Sequence, residues 1–365
     1  LLLNLKIDSL EKYLSGVYKA DVSVKRVFPL GGEQKGEDLK GFGYGVPYVI
    51  EFRVDGNPKR VVLETMRAEG FGHDNVSDRA KILLWQHSAF NRLPRHVHSV
   101  DVGAFTRDSE ELKSLGGCDE FFIVTELVEG ELYRFDLDRF KETGRLNELD
   151  ERRCLALSDY LVEIHRVKRE ALWLYIRRVR ELVGHGECIM GLLDSYPLPL
   201  NFVSESDLVE IEKECVVWRW RLKRKAHRLS QVHGDFHPWN VMFREGTDFT
   251  VLDRSRGEWG EAADDVTAMT INYVFYSLQM YGELAGVFER LWRLFWENYL
   301  RKTGDREILE VVQPFYAWRG LVVASPVWYP SLSMDVRVKL FNFIRNVLQC
   351  EKFDLSAVNS YISGS

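Results

Sequence analysis

Val232-His233-Gly234-Asp235-Phe236-His237-Pro238-Trp239-Asn240-Val241 is the stretch on which the reading turns, and Leu252-Asp253 completes it thirteen residues after the asparagine. Gly234 and Pro238 mark a tight loop, and Asp235 and Asn240, five apart, place two hard oxygen donors on it. Phe249-Thr250-Val251-Leu252 reads as a short apolar strand ending on Asp253. Taken singly, aspartate and asparagine in loops are turn formers. Taken together at this spacing, two carboxylates and an amide meet the needs of phosphoryl transfer. That reaction requires a carboxylate at the acceptor hydroxyl and oxygen ligands for the Mg2+ that spreads charge off the phosphate oxygens. Neither His233 nor His237 has partners at zinc-ligand spacing, which argues against a zinc hydrolase.

Outward from this stretch the chain has two textures. Downstream of Gly130, apolar residues recur at helical spacing over 149–167, 168–183, 205–230, 262–281, 283–302, 306–324 and 335–350, with a β interlude near 241–252. Upstream, β-rich runs cover 22–28, 48–54, 60–64, 97–105 and 121–125, and Asp55-Gly56-Asn57-Pro58 predicts a hairpin turn between the second and third. A helix over 5–16 is expected to end at Gly16, and another to run from Ser77 to Arg92 behind an Asp74-Asn75 cap. The expectation is an α+β, bilobal chain. A small antiparallel-sheet part, 1–128, joins a larger, mainly helical part, 129–365, through Glu126-Leu127-Val128-Glu129-Gly130.

H-G-D-x-x-x-x-N followed by an apolar strand ending in aspartate resembles the aminoglycoside phosphotransferase and choline kinase-like family, small-molecule relatives of the protein kinase fold. Residues 232–266 carry the resemblance, and the order of strands, hinge and helices agrees with it. It implies a bilobal protein kinase-like fold and transfer of the γ-phosphate of ATP or GTP to a hydroxyl of a small molecule, of the aminoglycoside, amino alcohol or sugar class. It further implies that Asp235 accepts or orients the hydroxyl proton, that Asn240 and Asp253 bind Mg2+, and that His233 props the loop. Asp265 would pin that loop from the following helix, and the Glu126 carbonyl and Val128 N–H would face the adenine edge. Gly41 and Gly43, in Gly41-Phe42-Gly43-Tyr44-Gly45, offer backbone N–H groups to phosphates, although glycines between two strands also make a plain hairpin loop.

One strand departs from the family. Val61-Val62-Leu63-Glu64-Thr65 puts glutamate where a lysine for the α- and β-phosphates is expected. A carboxylate beside a triphosphate is repulsive by about 1 to 4 kcal/mol at contact distance. A shifted alignment, a substitute cation such as Lys40 or Arg67, or a Glu64 turned toward Arg79 or Lys81 would each accommodate it. So would the alternative function, a nucleotide-binding pseudokinase or regulatory module without turnover.

Composition excludes other classes. With 365 residues, 45% hydrophobic and 28% charged, the chain is long enough for a sizeable core and unlike a low-complexity or collagenous polymer. A net charge of −6 argues against nucleic acid as a partner, so the basic run 218–228 and Arg177-Arg178-Val179-Arg180 read as solvated helix faces. Cys118, Cys154, Cys188, Cys215 and Cys350 are dispersed, which suits neither a disulfide framework nor zinc and points to the reducing cytoplasm. No run approaches the roughly 18 apolar residues of a membrane span. Glu258 and Glu261 are either ordinary loop carboxylates or an attraction for a cationic acceptor, and Asp264 reads as a helix N-terminal carboxylate. The late aromatics, Trp292 to Tyr329, read as core, with a few available to line a substrate wall. The motif sets the reaction and leaves the acceptor, ATP or GTP, and the oligomeric state open.

Overall fold

The computed structural model describes residues 6–30, 45–67, 73, 76–106, 111–113 and 118–364. They form two compact units. One holds the described residues through Glu129 together with Leu252–Arg256; the other holds Gly130–Val251 and the chain from Gly257 onward.

The first unit opens with α1 (Ile7–Tyr18), which runs through Gly16. A side chain at Gly16 would meet nothing, and the stop comes at Lys19, left-handed at φ 51°, whose N–H bonds the Ser15 carbonyl. Strands β1 (Val22–Pro29), β2 (Gly45–Val54) and β3 (Asn57–Met66) follow. The β2–β3 turn is only Asp55-Gly56, both at positive φ, the twist that antiparallel strands favour; Asn57 and Pro58 already belong to β3. Helix α2 (Val76–Phe90), β4 (Ser99–Thr106), β5 (Leu112–Lys113) and β6 (Cys118–Glu126) complete an antiparallel sheet of order β1-β2-β3-β6-β4-β5. Strand alternation divides its side chains. Phe122 and Val124 of β6 join Leu10, Leu14, Ile50, Phe52 and Leu63 on the α1 face. Ile123 joins Met66, Leu83, Phe90 and Ala104 on the α2 face, with Val128 and Leu252 packed against them.

The second unit begins with β7 (Glu131–Leu132) and α3 (Tyr133–Thr143), then α4 (Glu148–His165), α5 (Leu172–Gly184), α6 (Ile189–Asp194) and α7 (Glu205–Leu222). Reciprocal capping boxes, Asn147 with Asp150 and Ser204 with Asp207, start α4 and α7. The expected helix over 205–230 stops at Leu222, because Leu229–Gln231 is strand β8, paired with β11 (Trp259–Glu261). Between them lies the hairpin β9 (Val241–Phe243) and β10 (Phe249–Val251). Helices α8 (Ala262–Tyr281), α9 (Gly286–Thr303), α10 (Gln313–Ala324), α11 (Met334–Gln349) and α12 (Val358–Ile362) finish the chain. Helix α8 is buried nearly all round, and Trp292, Trp296, Tyr299, Phe315, Tyr316, Trp318, Trp328 and Tyr329 are core, as read from the sequence. The expected class holds: an antiparallel sheet in the N-terminal part and a larger helical part. Among the described residues no helix is long and apolar enough to cross a membrane.

Candidate active site

Strand β8 delivers the chain into the loop 232–240, and the Val232 N–H donates to the Glu258 carbonyl at 3.1 Å. The loop is then gripped from α8. Asp265 has no exposed surface; its Oδ2 accepts from the His233 N–H and its Oδ1 from the Gly234 N–H, both at 2.7 Å. Its Oδ2 also accepts from His165 Nε2 of α4 at 3.0 Å. A carboxylate only accepts, so His165 carries its proton on Nε2 and its Nδ1 takes the Tyr299 hydroxyl at 2.8 Å. Burial by itself would raise the Asp265 carboxyl, yet the bonds from His165 and from the His233 backbone hold it below the usual carboxylate range. His233 Nδ1 accepts the Asp235 N–H at 3.2 Å, so this ring shapes the backbone that presents Asp235.

Asp235 is 9% exposed. Its Oδ1 lies 2.6 Å from Arg319 Nη1, and its Oδ2 lies 3.6 Å from His237 Nε2. Because His237 Nδ1 accepts the Trp239 N–H, a neutral His237 ring keeps its proton on Nε2, toward Asp235. Asn240 closes the loop: its Nδ2 donates to the Asp235 carbonyl at 3.0 Å, leaving the amide oxygen as the atom it can offer a metal. The loop thus brings Asp235 and Asn240 together.

The strand pair beneath the loop is clamped by charge. Arg228, 4% exposed, donates to Glu261, Asp305 and Glu307, and Glu261 also accepts from the Tyr175 hydroxyl. Arg228 and Glu261 therefore leave the roles of solvated cation and acceptor-attracting carboxylate that the sequence allowed them. Arg178 is likewise turned inward, onto the Trp259 carbonyl and Glu181. Burial alone would raise Glu307, but bonds from His227, Lys225 and Arg228 bring it down to about 2, and Asp305 is lowered in the same way by Arg228. A carboxylate lowered on folding contributes stability above its unfolded value and loses it as pH falls. Wild type should therefore lose melting temperature between about pH 4.5 and 2 more steeply than Glu307→Gln. Parallel melting curves across that window would remove Glu307 from the acid response.

In the first unit Asp253 stands in the left-handed region at φ 53°, and its Oδ1 accepts from Gln86 Nε2 at 3.2 Å. Glu64 sits in β3 opposite Pro47 and Ile123, with its carboxyl against the Gly45 α-carbon, where any side chain would collide with it. Burial first, and the neighbouring Asp253 carboxylate second, push the Glu64 carboxyl up to about 8. Arg79, one of the two cations offered as a partner for it in the sequence, is buried and donates to the His73 carbonyl. Arg254, fully buried, ties the segment after Asp253 to α2 through the Ala89 carbonyl. Glu126 ends β6 with its N–H on the His98 carbonyl, and Val128 packs beside Met66 and Ile123. Gly41, Gly43, Lys40 and the Asp74-Asn75 cap lie outside the described residues.

Several solved structures align with the chain over most of its length. An amicoumacin kinase in complex with AMP-PNP, Ca2+ and Ami is 14% identical, covers 91% of each chain and has a TM-score of 0.48. An aminoglycoside phosphotransferase in ternary complex with AMP-PNP and hygromycin B is 16% identical over 93% of this chain and 98% of its own, with a TM-score of 0.46. One from Streptomyces rimosus is 15% identical over 77% and 90%, with a TM-score of 0.43. No curated protein matches the sequence significantly. The profile of the phosphotransferase enzyme family matches residues 94–293, a span that contains Asp235, Asn240, Asp253 and Asp265. That span is more than half of the 365 residues, and the chain belongs to the phosphotransferase enzyme family.

Proposed function

We propose that the chain moves the γ-phosphate of ATP or GTP to a hydroxyl of a small molecule of the aminoglycoside, amino alcohol or sugar class. The observation that carries this reading is the loop 232–240, which holds one nearly buried carboxylate, Asp235, on a backbone fixed by Asp265. Asp235 Oδ2 takes the hydroxyl proton while the acceptor oxygen bonds to the γ-phosphorus. The bond from that phosphorus to the β,γ-bridging oxygen breaks, and the nucleoside diphosphate leaves with its electrons.

Asn240 and Asp253 are the proposed Mg2+ ligands. The donor set suits the ion: Asn240 has only its amide oxygen to give, and Asp253 supplies a carboxylate whose negative charge helps raise the neighbouring Glu64 carboxyl. When bound, Mg2+ would spread the negative charge of the phosphates. The Glu126 carbonyl and Val128 N–H at the base edge, and Gly41 and Gly43 over the phosphates, belong to the same proposal. Glu64 favours a second reading, a nucleotide-binding module without turnover, because it places a carboxyl where a phosphate-binding lysine is expected.

Thermal shift with Mg2+-ATP and Mg2+-GTP, on wild type and Asp253→Ala, tests the nucleotide site. Ligand at about 100 times its Kd adds about 2.7 kcal/mol to the native state, enough to raise the melting temperature measurably. The expected result is a metal-dependent rise with at least one nucleotide that Asp253→Ala loses. A folded wild type that shifts with neither overturns the phosphotransferase reading; a shift without turnover of any acceptor selects the second.

A further inference from the structure

Arg319 lies in α10, eighty-four residues beyond Asp235 and outside the span that matches the family profile. It is 5% exposed, and its guanidinium makes three charge-assisted contacts around loop 232–240. Nη1 donates to Asp235 Oδ1 at 2.6 Å. Nη2 donates to the Gly234 carbonyl at 3.2 Å and to Asp264 Oδ1 at 2.5 Å. Its Cζ also lies 3.8 Å from the centroid of the neighbouring Trp318 ring. Asp264 is thus more than a helix N-terminal carboxylate: it holds the far side of the guanidinium.

Fixing one oxygen of a carboxylate also directs the other. With Oδ1 bonded to Arg319 Nη1, the Asp235 group cannot rotate about its Cβ–Cγ bond without breaking a buried ion pair, so the direction of Oδ2 is set as well. His237 Nε2 lies 3.6 Å from that oxygen. The backbone grip of Asp265 sets where the loop lies; the side-chain grip of Arg319 sets how its carboxylate points. A lysine cannot reproduce this, because one ammonium does not present two parallel donors in a plane.

We infer that Arg319, held by Asp264, is a positioning residue that orients the Asp235 carboxylate for transfer. This rests on the proposed role of Asp235. The test compares Arg319→Met, Arg319→Lys and Asp264→Asn with Asp235→Asn in the full chain, after a thermal melt shows each folded. Turnover is read as Mg2+-ATP hydrolysis, with water as acceptor, and with the best acceptor from a panel of amino alcohols, aminoglycosides and sugars. Misorientation of a reacting group by about 1 Å is worth about 10²-fold in rate. Arg319→Met should therefore lower kcat by about that factor, with the KM for ATP within about twofold of wild type. Arg319→Lys should recover only part of the loss, and Asp264→Asn should lower kcat less than Arg319→Met. Folded Arg319→Met with wild-type kcat, beside a dead Asp235→Asn, overturns the positioning role and leaves the function intact. Wild-type turnover in Asp235→Asn instead overturns the function itself. A second arm needs no acceptor: arginine-selective NMR should resolve separate Nη signals for a clamped Arg319, which Asp235→Asn disturbs. A single averaged Nη signal in wild type overturns the clamp.

Discussion

Asp235→Asn should lower kcat by about 10²- to 10⁴-fold, the range for loss of a general base, while nucleotide affinity stays near wild type. The substitution preserves shape. An asparagine oxygen can still accept from Arg319 Nη1, and Arg319 keeps Asp264 and the Gly234 carbonyl as partners. The loop keeps its hold on Asp265, since His233 and Gly234 bond to it through their backbone N–H groups. What changes is the second atom. An Nδ2 donor would stand where Oδ2 now faces His237 Nε2, so the position that must accept a hydroxyl proton presents a proton of its own. The measurement is ATP consumption with a turned-over acceptor, beside calorimetric titration of Mg2+-ATP. Wild-type turnover would take Asp235 out of the chemistry, whereas lost binding together with lost turnover would mean that the loop had moved.

The parts of this site legible in the sequence are those that follow one another along the chain. Loop 232–240 announces itself because Gly234, Asp235, Pro238 and Asn240 fall within seven residues, and local spacing alone makes them a tight turn with oxygen donors. Asp265 was legible as an anchor through its place just inside a helix that follows a known kind of loop. The partners that come from elsewhere were not. His165 closes α4 and Tyr299 sits late in α9, and nothing local distinguishes them from core residues at helical spacing. Arg319 lies in a run of aromatic and aliphatic residues, Phe315 to Val323, where an arginine interrupts an otherwise apolar helix. That interruption was the one available signal, since an arginine on a buried helix must find a carboxylate.

Much of the fold was legible for the same reason: the Asp55-Gly56 turn, the helix of 262–281 and the β-rich runs of the sheet are set by neighbours. The misses come where tertiary pairing overrides local pattern. Leu229–Gln231 continues an amphipathic run, but it becomes a strand because Trp259–Glu261 lies beside it and Arg228 ties both to Asp305. The same pairing turns Arg228 and Glu261 inward, away from the solvent that composition assigned to them. Helix α3 was passed over because it shows only Tyr133, Leu137 and Phe140 as buried positions among charged residues.

Asp265→Ala should destabilise the protein by about 3 to 5 kcal/mol, the largest loss in stability we expect from a single substitution at the site. The alanine strands three donors at once: the His233 N–H, the Gly234 N–H and His165 Nε2–H, all of which now end on Asp265. Each unsatisfied buried donor costs about 1 to 3 kcal/mol, against a total stability of about 5 to 15 kcal/mol. Asp265→Asn separates charge from shape. Its oxygen can keep the Gly234 N–H, and its NH2 can donate to His165 if that ring moves its proton to Nδ1 and gives it to the Tyr299 oxygen. Only the His233 N–H is then left facing a donor, so the asparagine variant should be roughly one stranded donor less stable than wild type, about 1 to 3 kcal/mol. The carboxyl is lowered in the folded protein, so its contribution is present above the ordinary aspartate value of 3.8 and is lost as pH falls below it. Asp265→Asn should accordingly lose less stability than wild type on acidification below that value. Denaturant melts of the three proteins at neutral pH, repeated in acid, read both effects. If Asp265→Ala melts within about 1 kcal/mol of wild type, below the cost of a single stranded donor, loop 232–240 is held by its own turn chemistry and α8 is not its anchor.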